Sequence, residues 1–132
     1  MRLVHPRSLM AIEIPSIVDA RGETIEGMVD YLLAGLLHVA PSTLSARYVD
    51  PKKEVVWHLR TNSTETVFHR SRALYFRTIL ARFGHHFMDG KLYGGEVEKE
   101  LSYLSRDFTV AFKMSNSQPN GFWIEITATP NV

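Results

Sequence analysis

The stretch from Ser63 to Phe87 constrains the fold most, because its apolar residues recur with the spacing of an α-helix. At about 100° per residue, these residues form one broad face and a second, narrower stripe, which leaves little surface for water. The broad face consists of Phe68, Tyr75, Phe76, Ile79, Leu80, Phe83 and Phe87, and the stripe of Val67, Leu74 and Ala81. Asn62, Ser63 and Thr64 are residue types that cap helix N-termini. The pattern predicts a central helix over 63–87, buried against more than one neighbour.

A second helix is predicted from Glu23 to Ala40, where Pro41 ends it. Its apolar face consists of Ile25, Met28, Val29, Leu32, Leu33, Leu36 and Val39. Small residues lie elsewhere on this helix, namely Gly27, Ala34 and, near the edge of the apolar face, Gly35. Because glycine lowers helix propensity, we expect these positions to let another segment approach closely. That segment belongs either to the same fold or to a second subunit.

Alternating apolar and polar residues predict two antiparallel hairpins. The first pairs 44–49 with 54–60 across a turn at 50–53, and the second pairs 108–114 with 122–127 across a loop at 115–121. A short strand is also predicted between Leu9 and Ile14, before Pro15. The segment 96–105 fits both a helical and a strand pattern, and a strand is favoured because no stop signal separates it from the second hairpin.

The order of these elements is approximately β-α-β-β-α-β-β-β. Strands joined by short turns, with only two long helices, indicate an α+β fold in which both helices pack on one face of an antiparallel sheet. The 132 residues fit a single domain, 1–132.

Composition excludes several kinds of chemistry. The chain has no cysteine, so disulfides, thiolate metal ligands, iron–sulfur clusters and cysteine nucleophiles are excluded. Its longest apolar patch, 32–39, is too short to span a bilayer. No phosphate-binding or dinucleotide motif indicates a cofactor. We therefore expect a cytoplasmic protein without a membrane anchor or a cofactor.

Opposite charges are concentrated in two segments, although the formal net charge is only +1. Five acidic residues and one arginine lie in 13–30, whereas five arginines and one glutamate lie in 60–86. The acidic residues are Glu13, Asp19, Glu23, Glu26 and Asp30, and the arginines of the second segment are Arg60, Arg70, Arg72, Arg77 and Arg82. We expect these segments to face each other or to be solvated separately.

Arg72 is the main candidate for a ligand-binding residue. On the predicted helix it projects from the apolar face, near Phe76 and Ile79. A buried guanidinium stays charged and needs partners. We expect a carboxylate of the protein itself, and the alternative is an anionic ligand held in a cleft. The possible carboxylates are Glu23, Glu26 and Asp30 of the acidic helix and Glu125 of the last strand.

Two further groups are weaker candidates. His85, His86 and Asp89 have a spacing that suits a metal only if the helix ends there. Arg60, Arg70 and Arg77 suit a basic surface for nucleic acid, although no motif of a known nucleic-acid-binding domain accompanies them.

No catalytic motif accompanies these residues, which favours a function in binding. Both predicted helices carry apolar or small residues on more than one side, and a two-layer domain covers only one side of each helix. The sequence therefore predicts a non-catalytic protein-interaction domain that binds another protein or a copy of itself. The alternatives are a binding protein or enzyme for an anionic small molecule, with Arg72 in a cleft, and a nucleic-acid-binding protein.

Overall fold

The computed structural model describes residues 11–20, 24–47, 54–62, 64–90, 95–116 and 122–131. Within these ranges, two helices pack on one face of a seven-stranded sheet, which confirms the predicted α+β fold. In chain order the elements are β1 (Ile12–Glu13), α1 (Ile25–His38), β2 (Ser42–Arg47), β3 (Glu54–Thr61), β4 (Thr64–Arg72), α2 (Ala73–Phe87), β5 (Gly95–Tyr103), β6 (Arg106–Asn116) and β7 (Phe122–Pro130).

The strands lie in the order β1-β5-β6-β7-β2-β3-β4. The short β1 is parallel to β5, and all other neighbouring strands are antiparallel. The two predicted hairpins are confirmed as β2–β3 and β6–β7, and 96–105 is confirmed as mainly strand. Leu9, Met10, the turn 50–53 and most of the loop 115–121 lie outside the described residues.

The helix predicted over 63–87 is wrong over 64–72. Residues 64–72 form β4, and the helix begins only at Ala73. Thr66, Val67 and Phe68 are β-branched or aromatic residues that favour strands. Asn62 belongs to the turn between β3 and β4 and has a φ of 46°, a conformation that asparagine tolerates well. Asn62, predicted as a helix-capping residue, therefore lies in the turn of a hairpin, and Thr64 begins β4.

The core lies between the helices and the sheet, and aromatic rings dominate its centre. Trp57 of β3 is fully buried, with ring centroids 5.8 Å from Phe76 and 6.3 Å from Phe83. Phe87 stacks on Phe112 of β6 at 5.3 Å. The broad apolar face predicted for the helix over 63–87 is thus buried from Phe76 onward, whereas Leu74 and Tyr75 are exposed.

The other helix matches its prediction closely. Thr24 caps the N-terminus of α1, because its Oγ1 accepts a hydrogen bond of 3.0 Å from the Gly27 amide. Neither of the described helices is long and apolar enough to cross a membrane.

Candidate functional site

One edge of the sheet is the long strand β4, which pairs with β3 and with no other strand of the described ranges. A bulge interrupts this pairing, because Trp57 is opposite His69 while His58 is opposite Val67. Phe68 is the extra residue, and its ring stacks on Tyr31 of α1 with centroids 5.1 Å apart. The bulge therefore lets β4 insert one aromatic ring between the sheet edge and the first helix.

Gly35 of α1 makes room for this ring. A Cβ at Gly35 would overlap Phe68 Cζ and would lie 2.7 Å from Cε1, far inside van der Waals contact. The small residue predicted to admit a neighbour does so, and the neighbour is a side chain of the same fold. A second contact holds the C-terminal part of β4, where buried Ser71 accepts a 3.0 Å hydrogen bond from Trp57 Nε1.

Three large apolar side chains remain exposed on β4 and just beyond it. Val67 is 48% exposed on the strand, and Leu74 and Tyr75, in the first turn of α2, are 70% and 36% exposed. Helix α2 begins directly where β4 ends, so the three residues lie along the same edge of the domain. Val67 belongs to the sheet layer, and Leu74 and Tyr75 belong to the helix layer.

The second feature is a half-open cavity of about 360 Å³ on the face of the sheet opposite the helices. Strands β2, β3 and β7 supply its lining, which consists of Ser45, Ala46, Arg47, His58, Trp123, Ile124 and Glu125. Strand alternation explains the placement: Ala46, Ile124 and Ile126 are buried, so Arg47, Trp123 and Glu125 project from the other face.

Opposite charges and an aromatic ring meet in this cavity. Arg47 is directly opposite Trp123 in the β2–β7 ladder, and Glu125 is opposite Ser45. Arg47 is exposed, whereas Trp123 and Glu125 are half-buried. Within the described residues, neither Arg47 nor Glu125 forms an ion pair. His58 at the rim has Nδ1 3.5 Å from a carboxylate oxygen of Glu65.

The predicted burial of Arg72 is wrong. Arg72 is the last residue of β4 and is exposed, with its guanidinium carbon 5.9 Å from the centroid of the Tyr75 ring. That distance allows a cation–π interaction. No carboxylate pairs with Arg72 within the described part of the chain, and Arg72 does not line the cavity. Binding of an anionic ligand by Arg72 stays a prediction.

Arg82 of α2 makes the kind of pairing that was predicted for Arg72. Its Nη2 donates a 2.8 Å hydrogen bond to Glu26 of α1, so the basic and acidic segments do face each other between the helices. Burial raises the pKa of the nearby Asp30 carboxyl, and Glu26 adds to this rise, while Arg82 and His86 oppose it. This cluster connects the two helices.

The structure does not bring the three arginines of the predicted basic surface together. Arg60 and Arg70 lie on β3 and β4, where Arg70 Nη1 donates to Glu54 at 3.1 Å. Glu65 is opposite Arg60 in the ladder. Arg77 lies on α2, in the helix layer. Acidic side chains therefore accompany the two strand arginines.

The possible metal ligands are also dispersed. His85 and His86 are exposed in the last turn of α2, and Asp89 accepts a 2.8 Å hydrogen bond from Lys99 Nζ. Across the described ranges, no three His, Asp or Glu side chains are grouped so as to hold a metal ion.

Sequence reasoning did not single out Arg47 or Trp123, and considered Glu125 only as a partner for Arg72. One signal was present: alternation in the last hairpin buries Ile124 and Ile126, which places a tryptophan on the solvent face of a strand. That Arg47 and His58 join it depends on the pairing of β2 with β7 and β3, which local sequence does not reveal.

Comparison with known proteins gives no family for this chain. No protein-family model matches the sequence, and no curated protein matches it significantly.

Proposed function

We propose that this protein is a non-catalytic interaction domain that self-associates through the edge strand β4. The observation that carries the proposal is that β4 spans nine residues at the sheet edge and is exposed over much of its length. Among the described strands it pairs only with β3. A strand in this position presents unpaired amide and carbonyl groups that another strand can bind.

Charge complementarity favours a second copy of this chain as the partner. Glu65 lies near one end of β4, and Arg70 and Arg72 lie near the other. In an antiparallel pair of β4 strands, Glu65 of each copy therefore lies toward the arginines of the other copy. Opposite charges across neighbouring strands favour such pairing, whereas like charges oppose it.

The exposed apolar residues support the same arrangement. A second copy at β4 extends the sheet beside Val67, and in the antiparallel pair the Thr64 end of its β4 lies toward Leu74 and Tyr75 of the first copy. Burial of such side chains favours association, because each Å² of apolar surface removed from water contributes about 25 cal/mol of favourable free energy. Leu74 is 70% exposed, so most of its apolar side chain is not covered by its own fold.

Analytical ultracentrifugation tests this proposal. We expect a dimer at tens of micromolar protein, and we expect Val67→Lys and Leu74→Lys to convert it to monomer without loss of secondary structure by circular dichroism. The cost of desolvating a lysine at the interface causes the dissociation in both variants. In Val67→Lys, repulsion between the two lysines near the middle of the paired strands adds to this cost.

Leu104→Lys is the matched control. Leu104 is 59% exposed but lies in the turn between β5 and β6, toward the opposite edge of the sheet from β4. We expect this variant to remain dimeric. A monomeric wild-type protein would overturn the proposal, as would a dimer that tolerates both β4-side lysines and dissociates with Leu104→Lys.

A further inference from the structure

We propose that the cavity on the face of the sheet opposite the helices binds a small zwitterion, namely a free amino acid or a dipeptide with an apolar or aromatic side chain. The ligand carboxylate binds Arg47, its ammonium group binds Glu125, and its side chain packs on Trp123. The inference is independent of self-association through β4, because β2, β3 and β7 form the cavity.

The two charged groups are suitably separated for such a ligand. Arg47 and Ser45 lie two residues apart on β2, about 6.8 Å at the usual rise per strand residue, and Glu125 is opposite Ser45. The guanidinium and the carboxylate thus start from neighbouring strands and reach toward a common space. The fork of a guanidinium matches a carboxylate, and a half-buried glutamate suits an ammonium donor.

Both charged groups are available to a ligand. Within the described residues neither takes part in an ion pair, although Lys113 is opposite Glu125 in the β6–β7 ladder. The Ser45 hydroxyl, between them, makes no side-chain hydrogen bond to another described residue. A ligand with one negative and one positive group satisfies both charges at once.

The size and lining of the cavity restrict the ligand further. Its volume of about 360 Å³ is near the lower end of the range for small-molecule sites, which suits one or two amino-acid residues. Trp123 is half-buried and provides apolar and aromatic surface beside the charged groups. A multiply charged anion such as a nucleotide is disfavoured, because Glu125 repels it inside the same cavity.

Nuclear magnetic resonance of the two tryptophan indole N–H groups tests the proposal with an internal control. Trp123 lines the cavity, whereas Trp57 is buried in the core and bonded to Ser71. The signals are assigned with Trp123→Phe. We expect L-phenylalanine and alanyl-phenylalanine to shift the Trp123 signal in a saturable manner and to leave the Trp57 signal in place.

Two ligand analogues examine each charge separately. Phenethylamine has the ammonium group without the carboxylate, and hydrocinnamate has the carboxylate without the ammonium group. We expect each to bind at least about tenfold more weakly than L-phenylalanine, since a net charge-assisted hydrogen bond of about 1.5–3 kcal/mol corresponds to at least tenfold in affinity.

Protein variants give the complementary test. Arg47→Gln and Glu125→Gln are each expected to weaken L-phenylalanine binding at least about tenfold. Arg60→Gln, on β3 but outside the cavity lining, is the matched control and is expected to bind as the wild type does.

Three outcomes would overturn the proposal. The first is the absence of a saturable Trp123 shift at millimolar L-phenylalanine. The second is equal binding of phenethylamine or hydrocinnamate, which would mean that one of the charges is not used. The third is unchanged affinity in both cavity variants, or a loss as large in Arg60→Gln.

Discussion

The two edges of the sheet are built differently. At one edge, β1 has only two residues and runs parallel to β5, whereas at the other β4 has nine residues and is antiparallel to β3. The chain after β1 is also tied down: Ile14 N donates to Ser102 O at 2.8 Å, and Ile17 N donates to Tyr103 Oη at 3.1 Å. A short edge strand followed by anchored chain offers little for another strand to pair with.

The long edge is anchored by the pairing of β4 with β3 and by side chains on the inner side of β4. Phe68 packs against Gly35 and Tyr31, and Ser71 binds Trp57, while Val67 and the charged residues of the strand remain exposed. The comparison teaches that side chains can hold an edge strand in place although, among the described residues, no second strand pairs with it. Four predictions test how the core and the two edges are held.

The largest effect is expected in the core beneath β3. Phe76→Ala removes a fully buried ring that packs on Trp57, and a loss of about 3–5 kcal/mol in the free energy of unfolding is expected. Arg70→Ala, which removes only a surface ion pair with Glu54, is expected to stay within about 1 kcal/mol. Urea denaturation measures both, and equal losses would contradict this packing.

The contact that anchors β4 gives the next largest effect. Gly35→Ala forces a Cβ into the Phe68 ring, which costs about 1–3 kcal/mol as an overpacked contact. Because alanine otherwise favours a helix over glycine, Phe68→Leu should make the same alanine substitution less harmful or favourable. A double-mutant cycle measured by urea denaturation checks this, and strictly additive effects would show that the ring and Gly35 do not interact.

A smaller effect is expected at the short edge. The hydroxyl of Tyr103 accepts from Ile17 N and lies 3.0 Å from His38 Nδ1, so Tyr103→Phe leaves both groups without this partner. A loss of about 1–2 kcal/mol is expected. Hydrogen exchange at Ile17 should also become faster in this variant. Unchanged exchange there would mean that the hydroxyl does not hold this segment.

The smallest effect concerns pH and the inner side of β4. Burial lowers the pKa of His69, whose ring lies edge-on to Tyr31 at 5.8 Å. In the unfolded chain His69 binds a proton as the pH falls below the ordinary histidine pKa of about 6.5. In the folded protein His69 stays neutral until the pH falls below its lowered pKa. The stability contributed by neutral His69 is therefore lost as the pH falls through this window.

His69→Gln should flatten the stability profile between neutral and mildly acidic pH. His85→Gln, at an exposed position on α2, serves as the control and should leave the slope as it is in the wild type. Thermal denaturation at several pH values measures both variants. If only His85→Gln flattened the dependence of stability on pH, His69 would not be its source.

Local sequence determined much of this molecule. The α+β class, the first helix, the apolar face from Phe76 to Phe87 and both hairpins follow from periodicity, because each pattern is satisfied by one buried face of a helix or strand. Proline and small polar residues indicated several of the boundaries. A meeting of the acidic and basic segments was one of two predicted alternatives, and the ion pair of Arg82 with Glu26 shows it.

Tertiary structure decided the rest. Phe68 fits a helical face on the angular count, but its partner Gly35 is 33 residues away, and only the pairing of β4 with β3 brings the two together. Arg72 accordingly ends a strand and is exposed. The same is true of the cavity: Arg47, His58 and Trp123 come from three strands, and each strand encodes which of its faces is buried but not which strand lies beside it.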